Sequence, residues 1–152
     1  MENLKKEMEL SNYILMTDQF LLTMTYAKES AYKNEKLSEL HCKMLDDAKG
    51  LVSKITGGAE LCEANLLKPV EKPSIEGLSL YGYALDTIGK AGIENKAGSY
   101  TRFFRNMESI IDRSKEGKAT EKEIRFLEVF FDKFRDILED ERKALENMED
   151  DD

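Results

Sequence analysis

Histidine, cysteine and a cluster of arginines are the residues of this chain that could do chemistry, and they are few. His41 is the single histidine, Cys42 and Cys62 are the two cysteines, and there is no tryptophan. A zinc site would need four converging ligands, here His41, Cys42, Cys62 and a carboxylate. His41 and Cys42 are neighbours on a predicted helix and project about 100° apart, which puts a shared ion or a Cys-His nucleophile out of reach. A di-iron bundle requires Glu-x-x-His on facing helices, and Ser38 stands where that glutamate would be. Neither glycine-rich phosphate loop occurs, and Gly57-Gly58 has no basic residue just after it. The cysteines are therefore expected as free thiols, with no metal and no cofactor. Acid–base chemistry would rest on carboxylates or lysines alone, so an enzyme is not expected.

One segment has a polar task open to it. Tyr100-Thr-Arg102-Phe-Phe-Arg105-Asn is followed by Arg113, Lys115 and Lys118. Arg102 and Arg105 lie three apart on one helical face, with Arg113 about two turns further along near it. Guanidinium groups so arrayed can grip phosphates through their planar donor forks. Phe103 and Phe104 follow the spacing of the core stripe, which makes them packing residues and not platforms for bases. The competing reading of the arginines is surface ion pairing with Glu108 and Asp112.

The chain has 152 residues, 41% hydrophobic and 36% charged, enough for one domain with its own core. Its net charge of −8 argues against indiscriminate binding to nucleic acid or an anionic membrane. That charge is concentrated: Glu139 to Asp152 holds eight acidic and two basic residues, against 23 acidic and 21 basic before it. Asp18, Lys28 and similar charges interrupt every long apolar segment, so no membrane span is predicted. The opening Met-Glu-Asn-Leu-Lys-Lys-Glu has no apolar stretch behind its charges, and a cytoplasmic location is expected.

Helical spacing runs throughout. Leu4, Met8, Leu15, Leu22 and Tyr26 trace one face of a first helix, whose middle is expected to be buried on most sides. Met8, Met16 and Met24, eight apart, could form an adaptable groove but read more simply as core residues. The helix should end near Lys33-Asn34, with Asn34 capping a second helix through Leu37, Leu40, Met44, Leu45, Ala48 and Leu51. Gly57-Gly58 is predicted to stop it, with a short helical piece over Ala59 to Leu67 and a proline connector near 68–73. Ser74 should cap a third helix bearing Leu78, Tyr81, Leu85 and Ile88, ended by Gly89, Gly92 and Gly98. Tyr100 to Ile111 forms a fourth, closed by Gly117. Thr120-Glu-Lys-Glu123 fits a capping box, opening a last helix along Ile124, Leu127, Phe131, Phe134, Leu138, Leu145 and Met148. The expectation is an all-α protein, a single compact bundle of about five helices over 1–148. An acidic disordered tail is expected over 149–152.

The order of these features resembles a family. Pro73, Ile75, Gly77 and Leu78, then Leu85 and Lys90-Ala91, then Thr120, Ile124, Phe126 and Leu127, are similar to the small helical subunit of type III-B CRISPR effector complexes. The resemblance implies a non-catalytic subunit of an RNA-guided antiviral ribonucleoprotein. Its partners would be neighbouring protein subunits and RNA, with no membrane and no small-molecule substrate. Arg102, Arg105, Arg113, Lys115 and Lys118 are then the residues expected to meet the RNA backbone. The alternative is an acidic helical adaptor or inhibitor whose C-terminal helix docks on a basic partner.

Overall fold

The structure, a computed structural model, describes residues 2–65 and 77–150. The proline connector, the Ser74 cap and the Pro73 and Ile75 positions of the resemblance lie outside the described residues. Five helices follow in order: α1 (Glu2–Lys33), α2 (Glu39–Asn65), α3 (Gly77–Ala91), α4 (Tyr100–Lys115) and α5 (Glu121–Asp150). α1 lies along α5, α2 along α4 and α3, and α3 also touches α5, so the five close around one core. Seven phenylalanines carry that core. Phe20, Phe104, Phe130, Phe131 and Phe134 are wholly buried, with Phe103 and Phe126 packed beside them.

Chain reversals follow from residue type. Asn34, Gly92 and Gly117 have φ of +55°, +67° and +70°, the left-handed conformation that ends a helix. At each, the next residue's N–H reaches back to a carbonyl five earlier: Glu35 to Ser30, Ile93 to Ile88, Lys118 to Arg113. Asn34 thus closes α1 and does not open α2; the opening falls to Ser38, whose Oγ accepts from the His41 N–H. Leu37 is buried but sits in the connector, its N–H bonded to the Lys115 carbonyl at 2.9 Å. Ser99 caps α4, and at α5 Thr120 and Glu123 exchange the two bonds of the capping box at 3.0 and 3.1 Å. α5 runs on to Asp150, two residues into the expected tail, since Leu145 is buried and Arg142 ties Glu139 and Glu146 along one face.

Two expectations are overturned by packing. Gly57-Gly58 does not stop α2, which continues to Asn65. A Cβ on Gly58 would strike the Gly77 carbonyl oxygen and come within 2.8 Å of Tyr81 Cβ, so the glycine is where α3 approaches α2 backbone to backbone. Gly57 has open space at the same point. Gly58→Ala is therefore expected to cost roughly 1–3 kcal/mol by overpacking. Gly57→Ala should gain up to about 1 kcal/mol through helix propensity. Urea titration of the two variants checks the opposite signs.

The second concerns α1. Leu4, Met8, Leu15, Leu22 and Tyr26 face outward and are 49–72% exposed. The buried side is the opposite one, with Leu10, Ile14, Phe20, Met24 and Ala27, and the buried Thr17 and Thr23 hydroxyls donate to carbonyls one turn back. Met24 is core, whereas Met8 belongs to the outer stripe.

Candidate functional site

The five basic residues of the α4 region do not form one open face. Arg113 makes a two-pronged pair with Glu123 at the start of α5, Nη1 to Oε1 at 2.8 Å and Nη2 to Oε2 at 2.6 Å. Arg105 turns the other way, onto Glu60 of α2. Lys115 bonds Asp46 of α2 at 2.5 Å and lies 3.4 Å from Asp112. Among the described residues Arg102 and Lys118 carry no ion pair, and both are exposed. The pairing partners are mostly not those expected: Asp112 takes Lys49 at 2.7 Å, and Glu108 takes the Ser53 and Thr56 hydroxyls at 2.6 and 2.9 Å. These contacts line a cleft of about 460 Å³ between α2 and α4.

Electrostatics in this region describes fastening. The Arg113 guanidinium holds the Glu123 carboxyl below the usual range, against the opposing effect of burial, with Thr120 helping. Burial would raise Asp112, but Lys49 and Lys115 outweigh it and hold it low. Arg142 lowers Glu139 in the same way. Elsewhere burial pushes Tyr81 up to about 12 and raises the Cys62 thiol, with Glu63 adding to both, so neither is poised as a nucleophile. Burial, then Asp86, raises Glu141 on the α3–α5 side. The shifted groups are scattered over separate contacts and do not converge on one cavity.

A pH dependence follows from Glu123. Its folded value lies below its unfolded one, so the pair contributes stability above the unfolded pKa of about 4.3, and that contribution is lost as pH falls through the folded value. Arg113→Gln should lower stability by up to about 1 kcal/mol near neutrality, the pair being partly solvent-screened. The deficit should shrink in acid, which melts at two pH values would reveal.

Cys42 and Cys62 stand on the same helix twenty residues apart, about 30 Å along its axis, so neither a disulfide nor a shared ion joins them. His41 stacks on Tyr26 with ring centroids 4.1 Å apart, its Nδ1 3.1 Å from Ser38 Oγ. No group of three or more His, Cys, Asp or Glu among the described residues could hold a metal. No described helix is long and apolar enough to cross a membrane.

The larger unexplained surface is on α1. From residue 10 to 27 its sole charge is Asp18, which Arg135 of α5 holds at 2.9 Å. The outer stripe runs beside a shallow groove of about 400 Å³ formed with α2, lined by Leu22, Tyr26, His41 and Met44 among others. Sequence reasoning found the stripe but expected the middle of the helix, Leu15 and Leu22 included, to be buried on most sides, whereas both are exposed. The signal that could have corrected this is the second apolar stripe on the opposite side of the same helix. Compared with known proteins, the chain matches no family model, no curated protein and no solved structure.

Proposed function

We propose that this chain is a non-catalytic helical interaction subunit that works inside a cytoplasmic protein assembly, with the outer face of α1 as its docking surface. One observation carries the reading: five large apolar side chains stand exposed in a row along α1, three of them on the stretch from 10 to 27 whose one charge is Asp18, in a chain that is 36% charged. Contiguous apolar surface of this kind marks a protein-interaction site far more often than scattered single residues do. The expected result is that the chain, tagged at native abundance, elutes from native extract at a mass well above one copy of itself. Leu15→Glu with Leu22→Glu should release it while leaving helicity unchanged, because both side chains already face water. A wild-type chain that elutes unaccompanied would sink the reading.

A second reading, the RNA-guided antiviral ribonucleoprotein subunit implied by the resemblance, is favoured by Arg102 and Lys118, the two cations of the basic set without an ion pair among the described residues. Replacing both with glutamine should flatten the salt dependence of single-stranded RNA binding by roughly 1.4 units of slope. An unchanged slope would remove RNA contact from the proposal.

A further inference from the structure

The outer stripe of α1 has a symmetry that says what covers it. Counted from Leu15, its members fall at −11, −7, 0, +7 and +11: Leu4, Met8, Leu15, Leu22 and Tyr26. At 100° per residue all five lie within about 20° of one line, over about 33 Å of helix. A pattern that mirrors about one residue suits a two-fold axis, because apolar residues of two antiparallel copies then meet apolar residues at every level. A hetero-partner imposes no such mirror.

We propose that α1 pairs with α1 of a second copy of this chain, antiparallel, about a two-fold axis through Leu15. Leu15 then meets Leu15 of the second copy, Met8 meets its Leu22, and Leu4 meets its Tyr26. The polar residues between keep the same register in height, Ser11 level with Gln19 and Asn12 level with Asp18, and the two Asp18 residues stand about 9 Å apart along the helix axes. Each Asp18 is in any case held by Arg135 of its own chain.

Two further observations favour a second copy. Copies of a chain with net charge −8 repel, and the stretch from 10 to 27, whose one charge is already paired, is where they can approach at least electrostatic cost. The groove beside Leu22, between Tyr26, His41 and Met44, opens where Met8 of the second copy arrives. Methionine, unbranched and adaptable, suits such an irregular recess.

The inference rests on the α1 face named above as the docking surface, and the two fail separately. The test is light scattering on the purified full chain, where the inference expects twice the 17.4 kDa of one chain. Leu15→Glu sets two carboxylates on the axis and should halve that mass with helicity retained. Leu15→Cys, whose thiols meet across the axis, should cross-link to a covalent dimer on mild oxidation, which the wild-type chain should not do. Leu4→Cys should cross-link with Tyr26→Cys in a mixture but not with itself. A monomeric chain, a dimer indifferent to Leu15→Glu, or self-linking Leu4→Cys would each overturn the proposal. A purified monomer that still loses its native assembly through α1 substitutions overturns the two-fold and leaves the docking surface standing.

Discussion

Phe130→Ala is expected to destabilise the protein by roughly 3–5 kcal/mol, the cost of truncating a fully enclosed aromatic ring. Phe130 has no solvent exposure and stands at the junction of the aromatic core. Its ring stacks on Phe134 at 5.6 Å and meets Phe131 and Phe104 edge-on at 5.3 and 6.2 Å. Removing it opens a cavity between α4 and α5 that rings fixed on two helices cannot fill by small shifts. Val129, one residue earlier on the outer side of α5 and 40% exposed, supplies the control. Val129→Ala should change stability by about 0.5 kcal/mol or less. Urea unfolding of both measures the contrast, and equal effects would mean that the aromatic cluster is not the centre of the core.

Gly117→Ala is expected to cost on the order of 3 kcal/mol, from two additive causes. Its φ of +70° is left-handed, which penalises a side chain by about 1–2 kcal/mol. A Cβ there would also collide with the Glu35 backbone, carbonyl oxygen included, because the α4–α5 turn seats directly on the α1–α2 connector. Leu37 fixes that seat through its bond to the Lys115 carbonyl. Gly92 separates the causes: its φ is +67°, yet a Cβ at that position meets nothing within 4 Å. Gly92→Ala should therefore show the backbone penalty alone. Similar losses at the two positions would mean that the connector yields to the intrusion.

Helix ends are legible from residue type because the forces that set them are local. The capping box at Thr120 and the left-handed glycines at 92 and 117 act within six residues of chain, and the structure has them as expected. The inward faces of α4 and α5 are legible too, each having one apolar side. α1 is not, because it has two. Its stripes lie on opposite sides, and periodicity alone does not tell which of them α5 will cover. Gly58 looks like a stop for a related reason: the backbone that needs its missing side chain belongs to α3. The basic residues of α4 look like a free phosphate-binding face because their counter-charges arrive from elsewhere, Glu60 being 45 residues before Arg105 and Asp46 69 before Lys115.

The pairing of α1 with α5 also sets an order of events in synthesis. α1 leaves the ribosome well before α5, its main packing partner, and the Asp18–Arg135 bond spans 117 residues. At about 5–20 residues per second, α1 waits roughly 6–23 s for that partner. Both its apolar stripes face water in the interval, the one α5 will cover and the one it never covers. Newly made α1 thus stays unpacked on the side that α5 covers until α5 emerges, and the bundle closes only then. A permuted gene that joins α5 directly ahead of α1 would remove that wait and should give a chain less dependent on chaperones for its yield.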